Sequence, residues 1–145
     1  PYTMLKLREA TGKAIGCNLD PSHLWWQGID PVAAIKILGA AGAIHHFHAK
    51  DTFLDQDNIN MHGLTDMQPY SEVKSRAWTF RSVGCGHDLK VWSDMISALR
   101  IYGYDYVLSI EHEDPIMSID EGLRRAVTNL RSVMIQEQPT DMWWV

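Results

Sequence analysis

The segment AIHHFHAKD, residues 43–51, decides the fold, because it joins a short apolar strand to side chains that bind metals. Two further segments have the same form, AIGCNLDPSH at residues 14–23 and YVLSIEHED at residues 106–114. Each predicts a strand that ends in Asp, His or Glu and leads through a loop into a helix. The carboxyl ends of strands carry the active site in α/β folds. Three such ends in one chain therefore predict convergence on one ion.

Alternation of apolar and polar residues orients the second predicted strand, residues 43–50. His46, His48 and Lys50 share one face, whereas His45 lies on the opposite face and is expected to be structural. An inward Lys beside His can contact a substrate oxygen. Taken alone, the His-x-His spacing is a weak signal for metal binding.

The first and third predicted strands, residues 14–20 and 106–111, end in carboxylates. Asp20 and His23 form an Asp-x-x-His pair, and such ligands suit divalent Mn, Co, Fe or Zn. The alternative is that Asp20 caps a turn and His23 lies on the surface. Glu111 ends the third strand, where a carboxylate can bind a metal and also move a proton.

The Gly84-Cys85-Gly86 turn is flanked by two further candidates, Arg81 and His87. A guanidinium before a Gly-rich turn can hold a phosphate or hydroxyls. His87 can instead cap the helix that follows. Glu113 and Asp114, after the third strand, are interpreted as loop acids.

Helices are predicted after each strand from caps at Asp30, at His87-Asp88 and at Ser118, the last with Glu121 as a capping box. Residues spaced for burial follow each cap: Val32, Ile35 and Leu38; Trp92, Ile96 and Leu99; Leu123, Val127, Leu130 and Met134. Residues 1–12 predict a helix end that buries Leu5, Leu7 and Ala10 and stops at Gly12.

Two segments lie outside this strand–helix pattern. The polar stretch 52–83 predicts a long functional loop with a short helix over residues 72–78. The tail 136–145, with Trp143 and Trp144, is expected to dock back onto the protein.

Three strand–helix units in succession predict a parallel sheet with right-handed crossovers. Three strands are too few to close a domain by themselves. The sequence therefore predicts the α/β class and, within it, the second half of a (β/α)8 barrel. We expect residues 1–145 to be the C-terminal portion of one such domain, containing strands six to eight with their helices.

Composition restricts the functional classes. The formal net charge is −5, which argues against a nucleic-acid partner, although a metal can supply local positive charge. No segment approaches the roughly 18 apolar residues of a membrane span. Neither Cys17 nor Cys85 has CxxC spacing, so both are expected to be reduced, buried thiols. A cytoplasmic protein is the expectation.

Four motifs, NLDPSH, HFHAKD, VGCGHD and SIEHED, together resemble the sugar phosphate isomerase/epimerase family, which has a xylose isomerase-like TIM barrel. The resemblance implies one divalent metal ion (Mn, Mg, Co or Zn) held by Asp20, His48 and Glu111. It also implies a strand-five Glu, expected before Pro1. His23 matches a substrate-contacting histidine beside the metal.

The resemblance implies isomerisation or epimerisation by proton abstraction next to a carbonyl. Glu111 is then both ligand and catalytic proton carrier, and substrate contacts are expected from His23, Lys50, Arg81 and His87. The partner is a small sugar or sugar phosphate, and a homo-oligomer is possible.

The alternatives are an inosose-type dehydratase on the same barrel and a non-catalytic barrel fragment. Endonuclease-IV-like DNA repair is disfavoured, because that group's Asp-Arg-His ligand run is replaced here by Trp78 and Phe80.

Overall fold

The computed structural model describes residues 1–66 and 68–145. Its helices are α1 (Tyr2–Thr11), α2 (Pro21–Trp25), α3 (Pro31–Ala40), α4 (Gln56–His62), α5 (Leu89–Ile101) and α6 (Ile119–Val133). Its strands are β1 (Cys17–Leu19), β2 (Ile44–Ala49), β3 (Asp51–Leu54), β4 (Trp78–Arg81) and β5 (Leu108–Ile110). A single 3-10 turn at Val73–Ser75 precedes β4.

Strands β1, β2 and β5 form a parallel sheet in that order, with β2 in the centre. The register pairs Leu19 with Phe47, and His48 with Ser109. The residues that follow β1 and β5 therefore come level with the end of β2. This confirms the predicted parallel arrangement of the three strands, although each is shorter than predicted.

One face of the sheet is buried against helices α3, α5 and α6. Phe47 and Ala49 of β2 are inaccessible to solvent, and Leu19 of β1 is 3% exposed. Helices α3 and α5 pack on each other and add Ile35, Leu38, Trp92 and Met95 to the same cluster. The opposite face of the sheet carries the polar side chains that alternate with these apolar residues.

Side-chain caps begin the helices where the sequence indicates. Asp30 accepts hydrogen bonds from the amides of Val32 and Ala33, and Pro31 occupies the first helical position. Asp88 caps α5 and Ser118 caps α6. A short helix that the sequence did not reveal, α2, starts directly after β1 with Asp20 as its N-cap.

The sequence predicted a long loop over residues 52–83, and the structure shows that this prediction is wrong. Strands β3 and β4 form an antiparallel pair, in which Asp51 lies opposite Arg81 and Leu54 opposite Trp78, and α4 connects them. The short helix predicted over residues 72–78 forms only as the 3-10 turn Val73–Ser75. Trp78 begins β4, because its backbone pairs with β3 and its ring stacks on Trp26.

Three burial predictions are wrong. Helix α1 buries no residue, so Leu7 and Ala10 are exposed. Helix α6 packs through Gly122, Ala126 and Leu130, which leaves Leu123 and Val127 37% exposed. The tail does not bury its tryptophans, since Trp143 is 85% and Trp144 63% exposed. The tail is held instead by Arg100, which donates to the carbonyls of residues 135 and 137.

Candidate metal centre

Asp20, His48 and Glu111 converge where the three parallel strands end. One ligand atom from each lies within 4.8 Å of the others. His48 Nδ1 is 3.1 Å from Glu111 Oε2 and 3.9 Å from Asp20 Oδ2. Two carboxylates and one imidazole at this spacing are a usual donor set for a divalent cation.

Asp20 is oriented by the start of α2. Its Oδ1 accepts hydrogen bonds from the Ser22 amide at 2.9 Å and the Ser22 hydroxyl at 2.6 Å. Its Oδ2 is buried and has no hydrogen-bond partner among the described residues. A buried carboxylate oxygen without a hydrogen bond needs a nearby cation, and either the Lys50 ammonium at 3.3 Å or a bound metal ion can supply it. The donor set therefore fits a metal ion.

His48 is held from behind by a residue of β1. The Asn18 side-chain amide lies 3.2 Å from His48 Nε2, which leaves Nδ1 facing the two carboxylates. Nδ1 can bind a metal only when it is unprotonated. Nε2 then keeps the proton and donates a hydrogen bond to the Asn18 side-chain oxygen, which requires the amide to be rotated so that its oxygen faces the imidazole.

Lys50 lies among the same carboxylates. Its Nζ donates to Glu111 Oε2 at 2.9 Å and to Glu113 Oε2 at 2.6 Å, and it lies 3.3 Å from Asp20 Oδ2. The side chain is 2% exposed, and its ammonium sits 4.4 Å above the centre of the Phe80 ring.

Burial opposes the charge of Lys50, but the hydrogen bonds to Glu111 and Glu113 and the charge of Asp20 prevail. They raise the pKa of the Lys50 ammonium above its ordinary value. In turn, the hydrogen bond from Lys50 holds the pKa of Glu111 below the usual carboxyl range, with His48 contributing. Glu111 is therefore an ionised acceptor at neutral pH.

His23 reaches the edge of the cluster. Its Nε2 lies 3.6 Å from Asp20 Oδ2, and the side chain is half exposed. The Trp26 indole donates to Nδ1 at 3.4 Å, and the Phe80 ring meets the imidazole edge-on at 5.1 Å. The structure thus brings His23 and Lys50 to the candidate metal ligands.

Arg81 is engaged elsewhere. Alternation along β4 directs Phe80 toward Lys50, so Arg81 belongs to the other face of that strand. Its Nε donates to Asp114 Oδ2 at 3.0 Å, and the Asp114 side chain is fully buried. Asp114 lies in the loop after β5, as predicted, but its buried carboxylate anchors Arg81.

His87 is likewise committed to a neighbour. Its Nδ1 lies 2.9 Å from Asp51 Oδ1, and its ring stacks on Trp25 at 4.0 Å. Asp51 is fully buried and also accepts from the amides of Gly84 and Gly86 and from the Trp92 indole. The Gly84–Gly86 turn is therefore held by a carboxylate from β3.

Sequence reasoning missed the supporting residues Asn18, Ser22, Glu113 and Phe80. Asn18 and Asp20 are two residues apart at the end of the first strand, so they share a face, and that spacing contained the signal. Glu113 and Phe80 meet Lys50 only through the fold, and no spacing in the sequence links them.

The model of the xylose isomerase-like TIM barrel family matches residues 2–133 of this chain. Uncharacterized protein YfiH of Bacillus subtilis (strain 168) is 40% identical over 136 residues, which are 94% of this chain and 43% of that protein. The chain thus spans less than half the length of this relative.

The crystal structure of a xylose isomerase domain protein from Planctomyces limnophilus superposes with a TM-score of 0.64. The match covers 91% of this chain and 42% of that one, at 22% identity, and it shows a shared fold. In the part of the chain that the structure describes, no helix is long and apolar enough to cross a membrane.

The expected α/β barrel fold and the expected family are both confirmed by these matches. The family includes sugar isomerases and epimerases. This chain belongs to the xylose isomerase-like TIM barrel family.

Proposed function

We propose that this chain carries the C-terminal half of a divalent-metal-dependent isomerase or epimerase that acts on a sugar or sugar phosphate. The observation that carries the proposal is the convergence of Asp20, His48 and Glu111, with one buried Asp20 oxygen left without a hydrogen bond. Family membership supports the reaction class. Mn, Mg, Co and Zn all suit this donor set.

A bound divalent ion supplies polarisation of a carbonyl and its neighbouring hydroxyl, which acidifies the C–H between them. Glu111 is the base we assign to that proton, because its carboxylate stands at the candidate metal centre and its side chain is 41% exposed. Return of the proton to the neighbouring carbon gives isomerisation, and its replacement on the opposite face of the same carbon gives epimerisation.

Two other side chains are placed to orient the substrate. His23 is half exposed beside Asp20 and offers an imidazole to a sugar hydroxyl. Lys50 carries an ammonium next to both carboxylates. Arg81 and His87 stay proposed substrate contacts, although Asp114 and Asp51 already engage one nitrogen of each.

Metal content and Mn²⁺ titration of the purified chain test the proposal. We expect one Mn²⁺ per chain in the wild type and loss of binding in Asp20→Ala. Asp30→Ala is the matched control, because Asp30 also caps a helix through its carboxylate but lies outside the cluster. A wild type that binds no Mn²⁺, or an Asp20→Ala chain that binds it equally well, contradicts the proposed site.

The role of Glu111 is tested by turnover in the intact enzyme. Glu111→Gln keeps the size of the side chain but removes the base, so we expect activity on a panel of sugars and sugar phosphates to be abolished. Glu121→Gln, an exposed change on α6, is the control. Near-wild-type turnover in Glu111→Gln would remove it as the proton carrier.

A further inference from the structure

The Lys50 ammonium and the candidate metal use the same oxygen atoms. Nζ lies 2.9 Å from Glu111 Oε2 and 3.3 Å from Asp20 Oδ2, the two carboxylate oxygens that also face His48 Nδ1. A divalent ion bound by these oxygens would stand within a few ångströms of a buried positive charge. The repulsion between the two is strong where water is excluded.

Glu113 offers Lys50 a different acceptor. Its Oε2 is 2.6 Å from Nζ, the shortest of the three carboxylate contacts, and it is not among the converging ligand atoms. The Glu113 side chain is 46% exposed, on the segment that follows β5. Glu113 can therefore still accept the hydrogen bond from Lys50 when the carboxylates of Asp20 and Glu111 bind a metal.

The net charge of the cluster allows a divalent ion to bind, and the oxygen atoms it would share with Lys50 favour exchange over simple addition. Three carboxylates and one ammonium leave this cluster with a formal charge of −2, which a divalent ion would neutralise. The buried carboxylate of Asp20 needs a cation in either state, because unpaired buried charge is strongly destabilising. Lys50 meets that need when no metal is bound.

We propose that Lys50 is the internal counter-ion of the metal-free site, and that metal binding shifts its ammonium from Asp20 and Glu111 onto Glu113. Glu113 is then a positioning residue that acts through Lys50. This inference rests on the proposed metal-dependent function. It also leaves the ammonium beside the bound metal, where it can donate to a substrate oxygen.

Mn²⁺ affinity of Lys50→Met, measured by calorimetry on the full chain, is the first test. Met keeps the length of the stem and removes the charge, so we expect Mn²⁺ to bind at least ~10-fold more tightly than in the wild type. Lys90→Met is the matched control, because it deletes one exposed ammonium that pairs with Asp94 on α5. Unchanged or weaker affinity in Lys50→Met overturns the proposal.

Thermal unfolding in excess chelator tests the counter-ion role without a metal. We expect Lys50→Met to melt at a lower temperature than the wild type, and saturating Mn²⁺ to remove or reverse that difference. A chelated Lys50→Met chain as stable as the wild type would show that the carboxylates do not need the ammonium. A Lys50→Met chain that is unfolded even with Mn²⁺ also counts against the proposal.

A double-mutant cycle tests the role of Glu113 and uses a side chain exposed enough to replace safely. Glu113→Gln should weaken Mn²⁺ binding by about 3-fold or more in the wild type, because the ammonium then stays on the metal oxygens. In the Lys50→Met background the same change should have less than about a 2-fold effect, since the two residues act as one unit. An equal loss in both backgrounds would make Glu113 a ligand or a general charge effect.

The two proposals fail in different ways. If the wild type binds no Mn²⁺, the proposed metal site is wrong and the counter-ion proposal, which depends on that site, is wrong as well. If the wild type binds one Mn²⁺ and Lys50→Met binds it no better, the metal site stands and only the counter-ion is wrong.

Discussion

His48 illustrates how one strand position separates two histidine roles. His48 faces the carboxylates, whereas His45, three residues earlier on the opposite face of β2, lies 3.4 Å from an Arg8 guanidinium nitrogen. His48→Ala removes one of the three candidate ligands, so we expect Mn²⁺ affinity to fall at least ~10-fold, a loss seen even for residues behind the ligands.

His45→Ala is the control for that prediction. It removes an imidazole from the same strand without touching Asp20 or Glu111, and its Mn²⁺ affinity should match the wild type. Calorimetric titration of both variants decides the matter. Equal losses would mean that β2 is distorted and that His48 is no ligand.

Asp114 is a buried carboxylate whose ionised form is stabilised. Burial would raise the pKa of Asp114, but amide donors from Ser82 and Ile116 and the Arg81 guanidinium outweigh it and hold the pKa below the usual value. A lowered pKa in the folded state contributes stability above the unfolded value of about 3.9, and that stability is lost as pH falls through the folded pKa.

Asp114→Asn should therefore reduce the free energy of unfolding by about 2 kcal/mol at pH 7, the usual effect of removing a charged hydrogen-bonding partner. The gap to the wild type should narrow as the pH drops below about 4. Urea unfolding from pH 7 to pH 3 measures the difference in the free energy of unfolding between wild type and variant. Asp120→Asn, which changes an exposed carboxylate, is the control. A gap that stays constant with pH would contradict the assignment.

At the scale of elements, Asp51 ties β3 to the start of α5. It accepts from the amides of Gly84, Gly86 and His87 and from the Trp92 indole, so one side chain fixes both the turn and the helix behind it. Asp51→Ala leaves these buried donors unpaired. We expect a loss of about 3–5 kcal/mol in the free energy of unfolding.

Asp88→Ala offers the matched comparison, because Asp88 also holds the amino end of α5. It makes only the N-cap hydrogen bond to Val91, so its loss should cost about 1 kcal/mol. Denaturant unfolding of the two variants measures both losses in the free energy of unfolding, so that they can be compared. Equal costs would show that Asp51 acts only as a local cap.

The elements that sequence predicted are those whose signals are local. The helix caps are such signals, since each helix begins directly after its own capping residue: Asp30, Asp88 and Ser118. Alternation along β2 likewise places His48 and His45 on opposite faces. The β3–β4 pair was missed because it joins Asp51–Leu54 to Trp78–Arg81 across a helix. The residues of β4, Trp78-Thr79-Phe80-Arg81, do alternate apolar with polar, but four residues inside a long polar stretch are a weak strand signal.

At the scale of the whole molecule, topology alone gathers the candidate metal ligands. Parallel pairing of β1, β2 and β5 brings their carboxyl ends to one edge, so Asp20, His48 and Glu111 meet as the sequence predicts. The contacts of Lys50 with Glu113, and of Arg81 with Asp114, depend on where the segments after the strands fold. No local pattern contains that information.

The described part of the chain leaves apolar surface open. Strands β1 and β5 are the outer strands of the three-stranded sheet, and unpaired sheet edges favour association with other chains. On α6, Ile119, Leu123 and Val127 recur every four residues on one exposed face. The chain also spans only 43% of the length of YfiH. An exposed apolar surface next to an open sheet edge is usually a site of contact with another protein chain.

We therefore expect the purified 145-residue chain to self-associate at micromolar concentrations, seen by light scattering as a mass that rises with concentration. Leu123→Lys places a charge in the middle of the α6 stripe and should shift the chain toward its monomer mass of 16.5 kDa. Thr128→Lys adds the same charge to an exposed position of α6 outside the stripe, so it should leave the association unchanged. A wild type that stays monomeric across the range, or an equal effect of both substitutions, would show that the stripe is not the contact surface.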